Sequence, residues 1–89
     1  MKVKLELFGA SRDFSSHNPL DLNLNNNSTI KDIRNKLIDY LDEKFSGNEN
    51  YKKIVNSSAF CSADDNIVSD NYKITSNEKI AIIPPIGGG

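Results

Sequence analysis

The spacing of apolar residues changes along the chain, and the changes mark out its elements. Val3, Leu5 and Leu7 alternate with Lys4 and Glu6, the two-residue period of a half-buried strand that runs to Phe8. Residues 9–19 are polar and rich in turn formers, so they read as a loop. Leu20, Leu22 and Leu24 alternate with Asp21 and Asn23, and Asn25-Asn26-Asn27 follows as a turn. Two strands of this kind form an antiparallel hairpin. The period then lengthens. Ile30, Ile33, Leu37, Leu41 and Phe45 recur at steps of three and four, with Ile38 beside them and Lys31, Asp32, Asn35, Lys36, Asp39 and Asp42 opposite. This is an amphipathic helix of about four turns whose apolar stripe needs a sheet to lie on. Ser28 or Thr29 offers its N-cap, Asp32 stands where a capping carboxylate belongs, and Gly47 offers a stop.

Residues 48–58 are ambiguous, with Tyr51, Ile54 and Val55 able to form one short helical turn against the core. Ala59-Phe60-Cys61-Ser62 and Ile67-Val68 read as short strands around a turn at residues 63–66, and Ile74 as an isolated apolar anchor before a turn at residues 75–77. The last strand, Lys79-Ile80-Ala81-Ile82-Ile83, is almost wholly apolar. It should be central, either covered on both sides or half covered with a sticky outer face. In a sheet this small the last strand pairs most simply with the first, in parallel, with the helix in the crossover. The expected architecture is therefore α+β, of the β-grasp (ubiquitin-like) kind: a small mixed sheet with one main helix packed on one face. The domain spans residues 1–83, and residues 84–89 form an extended tail.

The length, 89 residues, allows one modest core. A chain this short buries only about 60% of its unfolded surface, which leaves no room for a deep enclosed active site. A net charge of −1, from 11 basic and 12 acidic residues, argues against a nucleic-acid binder, which would carry a basic patch. No apolar run is long enough to span a membrane, and the alternating N-terminus has no signal-peptide core. Cys61 and His17 are the only cysteine and histidine, so neither an intramolecular disulfide nor a Cys-rich metal site is expected. Cys61 fits as a small apolar filler in a strand and His17 as a surface residue in a turn. A cytoplasmic protein fits this composition best.

The least ordinary segment is the end, Pro84-Pro85-Ile86-Gly87-Gly88-Gly89. The prolines lack backbone donors and stop sheet pairing, so the chain should leave the sheet as a stiff extended stem. Ile86 rides on that stem. The glycines have no side chains, so they can thread a tunnel that any β-carbon would block and place the Gly89 carboxylate inside another protein's site. A carboxylate is a poor electrophile. Activated as an acyl-adenylate it becomes a good one, and a sulfur nucleophile can then displace AMP to leave a thiocarboxylate.

At these residues the chain resembles the small subunit of molybdopterin synthase, the MoaD family, over essentially its whole length. That family ends in two bulky apolar residues, Pro-Pro, an apolar residue, a small residue and Gly-Gly, matched here by Ile82 through Gly89. It often shows Phe-Ala-x-x-Arg-Glu after the first strand, matched by Phe8-Gly9-Ala10-Ser11-Arg12-Asp13. Ser76-Asn77-Glu78-Lys79 replaces the usual Asp-Gly-Asp-Glu turn, Ile82 and Ile83 stand where aromatics are common, and Gly87 replaces Ser, Thr or Ala.

The resemblance implies a sulfur carrier in molybdenum cofactor biosynthesis. Gly89 would be adenylated by a partner enzyme that uses ATP, converted to a thiocarboxylate, and inserted into the large synthase subunit of a heterotetramer. There it would deliver sulfur to cyclic pyranopterin monophosphate. The chain itself would bind no cofactor and hold no catalytic centre of its own. Ile80, Ile82 and Ile86 alternate into the tail and Phe8 lies on the expected neighbouring strand; some of these should stay exposed as an apolar contact patch for both partners. Arg12 is either a polar contact at the rim of that patch or a loop tether. The alternatives are a related carrier serving thiamine, cysteine or tRNA thiolation, and a ubiquitin-like modifier conjugated to lysines through Gly89.

Overall fold

In a computed structural model, which describes residues 1–85, the alternating N-terminal segment forms β1 (Lys2–Leu7), with Val3, Leu5 and Leu7 buried. β2 (Leu20–Asn23) pairs antiparallel with it, Val3 opposite Leu22 and Lys4 opposite Asp21. The segment between them is more structured than its polarity suggested. Gly9–Phe14 is a 3-10 helix that buries Phe14 completely, and the Tyr40 hydroxyl donates to the Phe14 carbonyl at 2.8 Å. The Asn18 side-chain amide accepts from Leu7 N–H and donates to Leu7 C=O, both at 2.9 Å, and so continues the pairing of β1 past the end of β2.

β3 (Ser28–Thr29) leads directly into α1 (Ile30–Phe45). Thr29 and Asp32 form the expected reciprocal capping box, a device worth about 1 kcal/mol. Two further N–H groups of the first turn, of Ile30 and Lys31, donate to Tyr72 C=O and Asp70 C=O. The helix start is therefore closed by protein groups. Ile30, Ile33, Leu37 and Leu41 are fully buried on the sheet. Ser46 and Gly47, both at positive φ, end the helix by donating to Leu41 C=O.

The ambiguous segment contains a second helix, α2 (Glu49–Ser57), capped by the Asn48 side chain accepting from Tyr51 N–H. Tyr51 packs between Phe14 and Phe45, at ring separations of 5.3 and 5.1 Å, which fastens α2 to both the 3-10 segment and the end of α1. β4 (Ala59–Cys61) and β5 (Ile67–Val68) form the expected short hairpin. β6 (Lys73–Ile74) pairs with β3 as a separate two-stranded piece, so Ile74 is a buried anchor held in a ladder rather than an isolated one.

β7 (Lys79–Ile83) is the middle strand of a five-stranded sheet of order β2-β1-β7-β4-β5, parallel to β1 and antiparallel to β4. This mixed sheet with α1 across one face is the β-grasp architecture expected from the sequence. Arg34 ties its parts together. Its guanidinium lies 4.7 Å from the Phe60 ring centre, donates to Val55 C=O at 2.6 Å, and pairs with Asp70 at 3.0 Å.

Candidate functional site

β7 ends at Ile83, in the centre of the sheet, and the chain leaves there through Pro84 and Pro85. Pro84 is buried and Pro85 exposed. Gly9 faces the Pro84 ring. A β-carbon on Gly9 would lie 3.8 Å from Pro84 Cγ and Cδ, an ordinary contact, so space does not demand glycine there. Its φ of +55° does, because other residues rarely adopt it. The 3-10 segment can thus turn sharply after β1 and lie against the root of the stem. Between that segment, α2 and the stem, Ala10, Asn50, Lys53, Ile54, Ser57, Pro84 and Pro85 line a groove of about 280 Å³. Ile86, Gly87, Gly88 and Gly89, the slim end expected to carry the chemistry, lie outside the described residues.

The outer face of the sheet is divided into two zones by strand register. Across one row Glu6, Ala81, Cys61 and Ile67 follow one another. In the next row Ile83 pairs with Ala59. Phe8, one residue past the Leu7–Ile82 pair and extended in backbone, comes alongside Ile83. Phe8, Ala59, Cys61, Ala81 and Ile83 are each half-buried, and Ile67 is 75% exposed. They form a continuous apolar surface beside the tail exit, of the kind that marks a contact site. The other zone is charged. Lys4 pairs with Asp21 at 3.3 Å and Lys79 with Glu6 at 3.5 Å. The two lysines are directly opposite in register; Lys4 is drawn to Asp21 on β2, away from β7, and Lys79 to Glu6, two residues along β1 from Lys4.

This geometry corrects the expected patch in one respect. Ile80 and Ile82 are completely buried and face α1, so they are core residues and cannot form the exposed surface. The parallel register sets Ile80 against Leu5 and Ile82 against Leu7, which forces the even positions of β7 inward and leaves Ala81 and Ile83 outside. Phe8 lies at the tail exit, and Arg12 is exposed on the 3-10 segment packed beside it. Sequence reasoning missed Ala59, Cys61, Ile67, Ala81 and Ile83 as surface residues and Pro84 and Gly9 as the clasp at the stem root. The signal for the first group was the parity of β4 and β7, readable only once their partners are known.

A larger cleft, about 370 Å³, lies elsewhere, between the Asn25–Asn27 turn and α1. It is lined by amides and exposed charges and does not approach the tail exit. Among the described residues no group of three or more His, Cys, Asp or Glu could hold a metal ion. No described helix is long and apolar enough to cross a membrane.

Comparison with known proteins follows the same direction. The sequence matches the ThiS family over residues 5–89. No curated protein sequence matches at a significant level. Among solved structures, SAMP1 from Haloferax volcanii superimposes with a TM-score of 0.69 at 13% identity, with 100% of each chain covered. The Pyrococcus furiosus protein assigned as molybdopterin converting factor, subunit 1, gives 0.70 at 16% identity, covering 96% of this chain and 98% of that one. A ubiquitin from Caldiarchaeum subterraneum gives 0.61 at 18% identity, covering 100% and 98%. At these identities the structural likeness establishes the fold.

Proposed function

The chain belongs to the ThiS family, the ThiS/MoaD-type ubiquitin-like sulfur carriers, and from that premise we propose that it is the small, sulfur-donating subunit of a molybdopterin synthase. The observation that carries this reading is the tail exit. A glycine-ended stem leaves the central strand through a buried proline, beside an apolar surface with no residue of the chain to cover it among those described. Pro84-Pro85 and the Phe8–Asp13 segment favour the molybdopterin branch over the thiamine branch.

The chemistry proposed is carried by one carboxylate. A Gly89 oxygen attacks the α-phosphorus of ATP in the adenylating partner's site, and pyrophosphate leaves. A persulfide sulfur on the donor attacks the resulting acyl carbon and AMP leaves; a thiol then attacks the donor-side sulfur of the acyl disulfide, is oxidised to a disulfide with the donor, and releases the thiocarboxylate. In the large subunit that sulfur displaces an oxygen substituent from a carbon of the pterin precursor, and water cleaves the resulting thioester at its acyl carbon, leaving sulfur on the pterin and returning the Gly89 carboxylate. The described residues contribute docking and presentation. The outer apolar zone, with Phe8 and Ile83 at its end, seats the partner. The Pro84 clasp fixes where the tail starts, which removes part of the ordering cost of threading it. Arg12 supplies a polar rim contact, where arginine is enriched.

Intact-mass spectrometry tests the reading. Incubation with an adenylating partner, ATP and a sulfur donor should replace one terminal oxygen by sulfur. Deleting Gly89, or adding one residue after it, should abolish this without lowering thermal stability. An unmodified protein in the presence of a competent partner, or sulfur mapped to Cys61, would refute it. A second reading, a protein modifier, draws on the shared fold with SAMP1 and a ubiquitin. The product separates them: molybdopterin formed with the large subunit, against an isopeptide to lysine.

A further inference from the structure

We propose that the groove between α2 and the proline stem is a second contact for the partner that takes in the tail, and that it receives an apolar side chain flanked by a carboxylate from the mouth of that partner's channel. The inference rests on the carrier reading and adds a surface that the sheet face does not include.

The groove has two chemistries in about 280 Å³. Ala10, Ile54, Pro84 and Pro85 supply apolar wall, while Lys53 and Asn50 supply donors. Among the described residues, Lys53 is the only charged one lining it. Its neighbour Lys52 is committed, with its ammonium 2.6 Å from Asp42. Lys53 is exposed and makes no ion pair among the described residues. A cation over an apolar trough, with no acid in the lining, is complementary to a side chain pair of opposite charge and matching apolarity. Position identifies what brings that pair. Pro84 and Pro85 are themselves the groove wall, so any protein that encloses the residues after Pro85 must bring its channel mouth against this side of the stem. The groove is thus continuous with the site of tail entry, while the sheet zone at Phe8 and Ile83 lies on the stem's other side.

The test is ATP–pyrophosphate exchange by the adenylating partner, with the full-length carrier as the varied substrate. Lys53→Glu should raise the KM for carrier about 10-fold and Lys53→Ala less, with kcat unchanged, because chemistry occurs beyond the contact. Lys53→Arg should restore the wild-type KM, and the KM of Lys53→Ala should depend less on salt. Ala10→Asp, on the exposed wall opposite, should raise KM by a similar route. Exchange by wild type with an unchanged KM for Lys53→Glu and Ala10→Asp overturns the groove proposal while leaving the carrier reading intact. A lower KM for Lys53→Glu also overturns it, since it would mean that the groove holds the chain's own tail. So does a change in carrier self-association on sedimentation, which would assign the groove to a second copy. No exchange by wild type with a competent partner removes the carrier reading and this proposal together.

Discussion

Two rows of side chains on β7 differ by one step along the backbone and have opposite uses. Ile80 and Ile82 are fully buried beneath α1, with Leu5 and Leu7 as neighbours. Ala81 and Ile83 point the other way, into a half-covered row with Cys61, Ala59 and Phe8. The residue types are nearly the same, so hydrophobicity alone does not assign a role. The inner row stabilises the domain, each isoleucine contributing roughly 1.5–3 kcal/mol by leaving water. The outer row is only half covered by the fold, so part of its apolar area stays in water. Period-two alternation lets five residues both anchor the strand in the core and present an apolar surface.

Substitutions can break this comparison in graded steps. The largest effect is expected for Ile82→Asp, which buries an unpaired carboxylate in the middle of the core. A loss of more than about 4 kcal/mol, seen as an unfolded or barely folded chain in circular dichroism, follows from that desolvation. Ile82→Ala should cost about 2–5 kcal/mol in chemical denaturation. Gly9→Ala is next. Forcing an alanine to φ +55° costs roughly 1–2 kcal/mol, and because the residue faces Pro84 the thiocarboxylation rate should fall alongside stability.

Ile83→Asp sharpens the contrast, with stability changed by less than about 1 kcal/mol but partner affinity reduced about 10-fold or more, measured by calorimetric titration. A large drop in melting temperature for Ile83→Asp would show that the outer row is core after all. The smallest effect belongs to the charged zone. Breaking the exposed Lys4–Asp21 pair with Asp21→Asn should change stability by about 0.5 kcal/mol or less. The Lys52–Asp42 pair has a defined pH signature. The hydrogen bond that Lys52 donates to Asp42, together with the charges of Asp42 and Glu49, holds its ammonium above the ordinary lysine value. A raised folded value stabilises the protein below the unfolded one and is lost as pH rises through the folded one. Denaturation midpoints of wild type and Lys52→Met should therefore converge only in strongly alkaline solution.

Much of the molecule is legible in the order of its residues. The heptad-like stripe of α1, its Thr29–Asp32 cap and the stop near Gly47 come from local spacing, because helix periodicity and capping depend on residues within a turn of one another. The alternation in β1 and β2 assigns their faces for the same reason, since lysine or aspartate marks solvent positions on both strands. The Pro84-Pro85-Ile86-Gly87-Gly88-Gly89 segment is legible because it is a matter of covalent order alone. What the sequence could not assign was the facing of β7. Ile80-Ala81-Ile82-Ile83 contains no polar residue to say which row meets water. Only pairing with β1 on one side and β4 on the other decides it, and those contacts join residues more than seventy and about twenty positions apart. The burial of Phe14, the stem clasp at Gly9 and Pro84, and the groove beneath Lys53 were likewise decided by tertiary structure. Each needs segments distant in sequence to meet, and no local period encodes which segments those will be.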